Sequence, residues 1–533
     1  MKPEKGKGRR ARSAEIQVRN PATGAVIGSV RHTDLSVMGE IFSRARRAQE
    51  IWSALSFEKR KRHVLKIRDH VVANTERLAR VVSDSSGKTA IDALATEILS
   101  AAMAADWYAK HAGRVLRPRR LAASSLLFMN KRNLLERVPH GVVGIISPWN
   151  YPFSIPFGEV MMALMAGNAV VLKVASVSAL IGEEIGRTVA AGELPDGLFT
   201  LVAGNAAGIS DALFANGVDK IFFTGSVATG KTLMAKAAQT LTPLSLELGG
   251  KDAMIVLSDA DLERASSGAA WAGYSNAGQS CAAVERLYVH ESVYDGFMRL
   301  LAAKTSALRV GADTVGAVDM GAMTTREQLE TVTHQVRDAV RKGARVVARS
   351  GAPHATGGYF YPATLIEGVD HSMEIMSRET FGPVIPVMKF SSDDEAVRLA
   401  NDSPYGLTIS VWSRDTARAR ELARRLQAGV VTINDHLYTH GQSETPWLGW
   451  KSSGIGVTHS DLGLLEMTKP RLINWDIMPM ARDAWWYPSD RRTYDGLIST
   501  LRFVFPRSVS EWARGIAGTL LFLARKMFTS WRV

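Results

Sequence analysis

The stretch Val142–Phe153, VVGIISPWNYPF, places an apolar run directly before a loop that holds two prolines. A short apolar run bounded by turn residues predicts a strand that is buried on both faces. Ser147–Phe153 is then the loop at the carboxyl end of that strand, where Pro148 and Pro152 restrict the backbone. Ligands of open α/β sheets bind outside the carboxyl ends of the strands, so we expect this loop to line a binding site.

The sequence after this stretch alternates short apolar runs with helical patterns. The strands predicted up to residue 250 are Val142–Ile146, Ala169–Leu172, Leu198–Val202, Lys220–Phe223 and Leu244–Leu248. Those predicted in a second block, from about 252 to 433, include Ala253–Leu257, Arg286–Val289, Ala344–Val347 and Val384–Phe390. Strand–helix alternation indicates parallel sheets covered by helices, and a chain of 533 residues exceeds one ordinary core. Two α/β domains are therefore expected.

Four further segments carry local signals. Asn20–Gly24 reads as the turn of a hairpin, and Leu35–Ala112 has helical spacing of its apolar residues. Ser124–Val138 alternates weakly, like a hairpin that stands off the first domain, and Thr468–Trp475 is strand-like.

The net charge of +13 is concentrated at the two ends of the chain. Residues 1–13 hold six basic side chains and one acidic one, and residues 471–533 hold ten basic and five acidic ones. A nucleic-acid enzyme more often carries its basic surface on the folded body, so no nucleic-acid partner is expected. The basic ends either meet an anionic surface or only aid solubility.

Cys281 is the only cysteine, which excludes an intrachain disulfide framework and a cysteine-rich zinc site. We predict no metal site, and a reducing, cytoplasmic compartment. Small residues flank Cys281, so a ligand can approach a thiolate that would be a strong nucleophile. The alternative is a small, buried hydrophobic side chain.

Two other side chains suit catalysis. Asn150 lies in the proline-restricted loop, where its amide either donates to an oxyanion or caps a turn. Glu247 lies between apolar residues and ahead of Gly249 and Gly250, an environment that disfavours the charged carboxylate and suits a general base.

A glycine-containing segment and a lysine could bind the phosphate or ribose of a ligand. Gly225-Ser226 and Gly230 stand between a strand and a helix start, where free N–H groups favour a phosphate. Lys173 follows another strand and either contacts a ribose or phosphate or is an exposed charge. The glycine spacing is not that of the dinucleotide-binding fingerprint, so it is weak evidence by itself.

In chain order, seven motifs together resemble the aldehyde dehydrogenase superfamily over about residues 18–475. They are the Ser147–Phe153 loop, Lys173, Gly225-Ser226 with Gly230, Glu247-Leu248-Gly249-Gly250, Gly278-Gln279-Ser280-Cys281, Glu379-Thr380-Phe381-Gly382-Pro383 and Asn401 to Gly406. The resemblance implies an α/β fold with a Rossmann-like cofactor domain, an α/β catalytic domain and a β-flap for oligomerisation. The implied division is a basic arm at 1–13, a cofactor domain at 14–123 and 140–250, a catalytic domain at 251–445, a flap at 124–139 and 462–476, and an extension at 477–533.

The resemblance also implies NAD(P)-dependent oxidation of an aldehyde to a carboxylic acid. Cys281 would attack the aldehyde, Asn150 would hold the alkoxide, and Glu247 would activate the water that releases the acid. The implied residues of the NAD or NADP site are Trp149, Lys173, Ser176, Gly225, Ser226, Gly230, Leu248, Gly249, Glu379 and Phe381. Many members have an acidic residue where this chain has Ser176, and the loss of that charge permits a 2′-phosphate.

The substrate and the tail have their own signals. The small pair Ala282-Ala283 leaves room for a bulky or long-chain aldehyde.

Residues 510–531 predict an amphipathic helix with two tryptophans and a basic face, too short in its uncharged part to span a bilayer. The helix either lies peripherally on an anionic membrane through residues 507–533, at its inner face, or packs on the protein. The tail resembles that of membrane-associated fatty aldehyde dehydrogenases.

Several alternatives remain open from the sequence. The substrate is apolar or long-chain, or else succinate-semialdehyde-like or aromatic. CoA-acylating relatives typically lack a glutamate at the Glu247 position, which argues against that chemistry. A non-catalytic scaffold at a membrane is opposed by the presence of Cys281, Asn150 and Glu247. Family flaps join subunits, so a homodimer or homotetramer is expected.

Overall fold

A computed structural model describes residues 15–125, 128–353, 357–478, 482–483 and 485–528, so the predicted arm at 1–13 lies outside the described residues. The strands are β1 Glu15–Arg19, β2 Val26–Arg31, β3 Arg119–Leu121, β4 Lys131–Pro139, β5 Val142–Ile146, β6 Ala169–Lys173, β7 Phe199–Val202, β8 Lys220–Thr224, β9 Leu244–Glu247, β10 Asp252–Val256, β11 Val284–His290, β12 Arg345–Arg349, β13 Thr364–Glu367, β14 Val384–Phe390, β15 Tyr405–Gly406, β16 Thr408–Trp412, β17 Val430–Ile433, β18 Trp450–Lys451, β19 Gly454–Ile455 and β20 Thr468–Asp476. The helices are α1 Met38–Ser53, α2 Phe57–Ala73, α3 Thr75–Ser86, α4 Ala90–Ala93, α5 Ser100–Val115, α6 Ser154–Ala166, α7 Ala179–Ala190, α8 Ala206–Ala215, α9 Val227–Ala237, α10 Leu262–Tyr274, α11 Tyr294–Ala307, α12 Arg326–Arg341, α13 Glu374–Ser377, α14 Asp393–Asn401, α15 Thr416–Ala423, α16 Ser460–Glu466, α17 Arg491–Val504 and α18 Val509–Phe528.

Five parallel strands and one antiparallel edge strand form the first large sheet, in the order β19-β9-β8-β5-β6-β7. Strands β5 and β6 are buried along their whole length, which explains their uninterrupted apolar runs. Helix α6 is buried at every position and continues the chain after the Ser147–Phe153 loop. The carboxyl ends of β9, β8, β5 and β6 therefore lie side by side at one edge of the sheet.

The second large sheet has the order β12-β13-β14-β11-β10-β16-β17, and only the β12–β13 pair is antiparallel. Its core is separate from that of the first sheet and centres on β10 and β11. The prediction of two α/β sheets is confirmed, as are the β1–β2 hairpin and the helical segment that α1–α5 occupy. The residue boundaries predicted for the two domains stay a prediction.

By packing, the residues through Leu116 and Val138–Lys469 form one compact unit, which holds both large sheets. Arg117–Arg137 and Pro470–Val533 form a second unit. Strands β20, β4 and β3 make a three-stranded sheet in that order, so the expected pairing of the flap with the strand near Thr468–Trp475 is confirmed.

One detail of the flap prediction is wrong. The hairpin expected within Ser124–Val138 begins earlier in the chain, because its first strand is β3 at Arg119–Leu121 and its second, β4, begins at Lys131. Asn130 is responsible at that end, because its side chain bonds the backbone N–H and C=O of Met478 at 2.8 and 2.9 Å. These bonds take the backbone groups that a longer strand would use.

Helices α17 and α18 pack on each other in the second unit. The contact face of α18 contains Gly515, Thr519 and Phe522, which are buried. A side chain at Gly515 or Gly518 would collide with α17, and the Phe522 ring packs against Gly496 of α17. The face predicted to be apolar points the other way: Val509 is 82% exposed and Leu520 61% exposed. Among the described residues, no helix is long and apolar enough to cross a bilayer.

Candidate active site

The carboxyl edge of the first sheet supplies three of the predicted site residues. Asn150 lies in the loop after β5, Lys173 ends β6, and Glu247 ends β9 beside Thr224 at the end of β8. Parallel strands bring their carboxyl ends to one edge, which is why residues almost a hundred positions apart converge here. All three predicted residues are at least nine-tenths buried.

The Cys281 loop has an unusual backbone. Asn276 and Ala277 have φ of +52° and +54°, and Gly278 follows with φ of +69°. A side chain at Gly278 would collide with the carbonyl of Gly382, so only glycine fits there. This turn places Cys281, which is half-buried, just before the start of β11.

Two glycines allow the end of the first sheet to approach the Cys281 loop. A Cβ at Gly250 would lie 2.5 Å from the carbonyl oxygen of Cys281, and one at Gly249 would lie 2.5 Å from Glu379 Oε2. Gly250 N donates a hydrogen bond to Glu379 Oε1 at 3.1 Å. The Gly249-Gly250 pair is therefore required by close approach, beyond the turn that the sequence indicated.

A buried ion pair positions the loop that carries Asn150. Lys88 Nζ lies 2.6 Å from Glu97 Oε1, and both side chains are fully buried. The same ammonium donates to the carbonyl oxygen of Asn150 at 2.9 Å, and Glu97 Oε2 accepts the backbone N–H groups of Phe153 and Ser154. The loop does not belong to a sheet, so its backbone groups lack strand partners. The Lys88–Glu97 pair supplies hydrogen-bond partners for them instead.

Asn276 ties this loop to the Cys281 loop. Its Nδ2 donates to the carbonyl of Asn150 at 3.0 Å and to the carbonyl of Gln279 at 3.1 Å. One amide therefore fixes the spacing between the Asn150 segment and the segment that leads into Cys281.

A second buried ion pair holds the Glu379–Phe381 segment. Lys251 Nζ lies 2.7 Å from Glu285 Oε2, and the two oxygens of Glu285 accept the N–H groups of Thr380 and Phe381, each at 2.7 Å. Phe381 has φ of +51°, and its ring meets Trp149 edge-on at 5.5 Å. These bonds keep a strained loop in place against the cleft.

Three cavities meet at Cys281. The first, of about 310 Å³, also contacts Tyr151, Trp271, Leu437 and Trp447. The second has a volume of about 240 Å³, and its lining includes these predicted site residues: Trp149, Asn150, Gly225, Ser226, Glu247, Leu248, Gly249, Cys281, Glu379 and Phe381. The third, of about 20 Å³, is lined by residues that include Cys281, Glu247 and Glu159.

The acidic surroundings keep Cys281 and Glu247 neutral. Burial, followed by Asp252, Glu379 and Glu247, raises the pKa of the Cys281 thiol. Burial and the nearby Glu159 raise the pKa of Glu247 well above its usual range. Neither oxygen of Glu247 has a hydrogen-bond partner of good geometry, although the Trp447 side chain is close enough to lower that pKa slightly.

Three of the predicted cofactor residues lie outside the second cavity. Lys173 is buried, which excludes the exposed strand-end alternative, and burial lowers its pKa. Ser176 is exposed, and Gly230 lies in α9, where a Cβ would lie 2.7 Å from Leu248. Ser226 caps α9 by accepting the Thr229 N–H at 3.3 Å.

The cleft fits a dinucleotide. The α9 start presents N–H groups beside Gly225, and the Lys173 ammonium makes no ion pair or hydrogen bond with any other described residue. A buried, unpaired ammonium at a sheet edge suits ribose hydroxyls or a phosphate. Glu379 and the Trp149–Phe381 contact border the end of the cleft nearest Cys281.

The residues that position the candidate site residues were not predicted from the sequence. Lys88, Glu97, Glu285 and Asn276 act through partners that lie far along the chain or in another loop, so no local pattern marks them. Glu159 did carry a signal, because it is the one charged residue in the apolar helix α6.

Comparisons with known proteins identify the family of the chain. The profile of the "Aldehyde dehydrogenase family" matches residues 9–473. The chain is 37% identical over 488 residues to the 4,4'-diapolycopene aldehyde oxidase of Methylomonas sp, covering 91% of this chain and 90% of that one. It is 35% identical over 460 residues, 86% of this chain and 87% of the other, to a Mycobacterium ulcerans protein whose name proposes a succinate-semialdehyde dehydrogenase that uses NADP(+).

Solved structures give the same result. Betaine aldehyde dehydrogenase of Staphylococcus aureus in complex with NAD+ superposes with a TM-score of 0.83 at 30% identity, covering 89% of this chain and 94% of that one. The family match and these relatives confirm the resemblance drawn from the seven motifs, and the chain belongs to the aldehyde dehydrogenase family.

Proposed function

We propose that this aldehyde dehydrogenase oxidises an apolar, long-chain aldehyde to the carboxylic acid, with NAD or NADP. The observation that carries the proposal is the place of Cys281 at the meeting point of three cavities. One cavity is apolar, one is bordered by glycines and the helix start, and one holds buried carboxylates. A nucleophile there can contact an aldehyde, a nicotinamide and a base at once.

Covalent catalysis starts when the thiol of Cys281 releases its proton to solvent and becomes a thiolate. Its sulfur bonds the aldehyde carbon, and the carbonyl oxygen becomes the alkoxide of a thiohemiacetal. The Asn150 amide and the backbone N–H of Cys281 donate to that alkoxide, and one such donor contributes about 3–4 kcal/mol to the transition state. Bound NAD(P) would supply the hydride acceptor for the same carbon, and Cys281 would then hold the product as a thioester.

Release of the acid needs a base. Glu247 takes a proton from water while the water oxygen bonds the thioester carbon, and the carbon–sulfur bond then breaks. Because Glu247 accepts no well-formed hydrogen bond in the structure, its oxygens are free to bind that water. This role supports hydrolysis over transfer to CoA, and it also argues against a non-catalytic scaffold.

The cofactor site in this proposal uses the residues around the second cavity together with Lys173, Ser176 and Gly230. Lys173 would contact the ribose, and the Gly225-Ser226 turn with the start of α9 would hold phosphate. Ser176 introduces no negative charge beside Lys173, so the 2′-phosphate of NADP is accepted as well as the hydroxyl of NAD.

The first cavity favours an apolar substrate over a succinate-semialdehyde-like one. Among the described residues that line it, none is Lys, Arg, Asp or Glu, and burial lowers the pKa of His440 to about 4, so this histidine is neutral. A substrate carboxylate would find no cation there. Leu99, Met103 and Trp271 line the same cavity and are each about half exposed, so an apolar chain can extend past the rim.

We propose a homodimer or homotetramer joined through the flap. Strand β20 is the edge of the three-stranded sheet and exposes Leu472, Ile473 and Trp475. An exposed, apolar edge strand is a template for pairing with a second copy. The domain division stated above, with the catalytic domain at 251–445, belongs to the same proposal.

We further propose that the enzyme acts in the cytoplasm, with residues 507–533 in peripheral contact with the inner face of a membrane. The α17–α18 hairpin buries Gly515, Thr519 and Phe522 between its helices and exposes apolar side chains outward, including Leu520 and Leu521 at 61% and 73%. Arg502, Arg507 and Arg514 are also exposed. Apolar side chains flanked by arginines suit an anionic bilayer surface.

Substrate preference is the direct test of the proposed activity. We expect kcat/KM for a long-chain saturated aldehyde to exceed that for succinate semialdehyde by at least about tenfold, because the cavity cannot pair a carboxylate. Absorbance of NAD(P)H reports each rate, with an aromatic aldehyde as a third substrate and Cys281→Ala as the inactive control. A preference for succinate semialdehyde would contradict the apolar assignment.

Glu247→Gln should separate the two chemical steps. The variant should still give a burst of about one NAD(P)H per active site, followed by turnover slowed at least about a hundredfold, because only hydrolysis needs the base. Stopped-flow absorbance measures both phases. Glu444→Gln removes an exposed carboxylate outside the three cavities and should behave as wild type. Unchanged steady turnover of Glu247→Gln would refute the role of this glutamate.

The membrane contact predicts salt-sensitive binding to vesicles. Wild-type protein should co-sediment with phosphatidylserine-containing vesicles, and replacing both Leu520 and Leu521 by Ser should weaken binding about tenfold or more. Leu241→Ser changes an exposed leucine of the other unit and serves as the matched control. Absence of wild-type binding would contradict the proposal, and a change in oligomeric state instead would assign the face to a second copy.

A further inference from the structure

A chain of buried hydrogen bonds runs from Trp412 to the turn that holds Cys281. Trp412 Nε1 donates to Ser410 Oγ at 2.9 Å, and Ser410 Oγ lies 2.7 Å from Nδ1 of His436. Nε2 of the same ring lies 2.9 Å from the carbonyl oxygen of Ala282. The three side chains are at most 2% exposed, so bulk water does not compete for these bonds. The proposed mechanism gives His436 no role.

The two ends of this chain determine which nitrogen of His436 carries hydrogen. An indole N–H can only donate, and a carbonyl oxygen can only accept. Ser410 therefore accepts from Trp412 and donates its own hydrogen to Nδ1 of His436. Nε2 then carries hydrogen and donates to Ala282, whereas the other tautomer would place a lone pair against that carbonyl. Burial lowers the pKa of His436 to about 4, so the ring is neutral at pH 7.

Thr408 is a further polar neighbour of His436. Its Oγ1 lies 3.5 Å from Nε2, at the limit of a hydrogen bond, and donates to Asp252 Oδ2 at 2.6 Å. The carbonyl oxygen of Ala282 is much closer to Nε2 and is therefore the main acceptor of its hydrogen.

A turn holds Cys281 and Ala282 at its centre. Ala283 N donates to Ser280 O at 3.1 Å, and Ala282 N donates to Ser280 Oγ at 3.3 Å. The carbonyl that His436 binds and the N–H of Ala283 belong to one planar peptide, so the orientation of one fixes that of the other. The bond from His436 therefore helps to hold the bond from Ala283 to Ser280.

The backbone N–H of Cys281 is oriented by the same turn. It lies opposite the carbonyl of Ser280 in one peptide, and it points away from the turn because that carbonyl is bonded inside the turn. No other described residue accepts a hydrogen bond from this N–H. Burial is the largest influence on the pKa of the Cys281 thiol and raises it, whereas this N–H lowers it. The N–H is therefore beside the sulfur, where an oxygen on a carbon bonded to that sulfur would form.

We propose that His436 is a positioning residue, which orients the backbone N–H of Cys281 toward the alkoxide that forms during aldehyde oxidation. His436 acts through Ala282 and Ser280 and does not touch the substrate. The inference rests on the proposed function, because that function places an alkoxide at this N–H.

A comparison of two reactions of Cys281 tests this role. His436→Phe keeps an aromatic ring but removes both nitrogens. We expect the burst of NAD(P)H from a long-chain aldehyde to slow about tenfold or more, because a misdirected donor stabilises the alkoxide less. Alkylation of Cys281 by iodoacetamide should stay within about twofold of wild type, since it needs the thiolate but forms no oxyanion. Stopped-flow absorbance and mass spectrometry measure the two rates.

His436→Gln is the conservative variant. Its amide can donate to the Ala282 carbonyl, so the burst rate should return to within about threefold of wild type. A His436→Gln burst as slow as that of His436→Phe would overturn the role of the Nε2 hydrogen.

His140 offers a matched control. Its Nε2 lies 3.1 Å from the carbonyl oxygen of Glu466, so His140→Phe removes a bond of the same kind. His140 lines none of the three cavities at Cys281. This variant should therefore match wild type in both the burst and the alkylation of Cys281.

Ser410→Ala tests the same chain if His436→Phe does not fold. The variant keeps the imidazole but removes its partner at Nδ1, which leaves the ring held mainly by the Ala282 carbonyl. We expect the burst to slow at least about threefold while alkylation of Cys281 is unchanged. A wild-type burst rate in Ser410→Ala would contradict the inference.

The failure of the inference and the failure of the proposed function give different results. A wild-type burst rate in His436→Phe, or a burst and an alkylation rate that fall in parallel, would overturn the role of His436 and leave the proposed function standing. A wild type with neither burst nor turnover on any aldehyde would overturn the proposed function, and the inference with it.

Discussion

The Lys88–Glu97 ion pair is the interaction on which the candidate site depends most. Both side chains are fully buried, and between them they bond three backbone groups of the segment around Asn150. Removing one partner of a buried pair leaves an uncompensated charge, which costs about 3–5 kcal/mol. Such a pair adds little stability by itself, but it fixes one loop geometry, and Asn276 extends that geometry to the Cys281 loop. Lys251–Glu285 does the same for the loop at Glu379.

A second property of the site is that its buried ionisable side chains are uncharged. Cys281, Glu247 and Glu159 are close together in surroundings that favour the uncharged form of each. Storing a thiol and carboxylic acids in this way protects the resting enzyme from an unpaired buried charge. Under the proposed mechanism, Cys281 and Glu247 must each lose a proton before they act.

The local part of this account could be predicted from the sequence. Strand β5 and its loop, the Glu247 environment and the glycine pair are set by neighbours within a few residues, and the family resemblance ordered them correctly. The strand bounds of the flap hairpin were not predicted correctly, because the contact of Asn130 with Met478, which is remote in sequence, lies at the start of β4. The face of α18 that packs on α17 could not be predicted from the sequence either. Both faces of this helix can pack against a neighbour, and the sequence pattern does not show which of them contacts α17. The ion-pair partners were hidden for the same reason, while Glu159 could have been noticed as a single charge in an apolar helix.

The central claim is that oxidation proceeds through an acyl group on Cys281. Its most direct test is mass spectrometry of wild-type protein quenched in acid during turnover of a long-chain aldehyde with NAD(P). We expect a peptide containing Cys281 with the added mass of the acyl group, and no adduct on any other peptide. Because the chain has a single cysteine, the assignment has no competitor. Steady formation of acid and NAD(P)H without any adduct on that peptide would contradict the account.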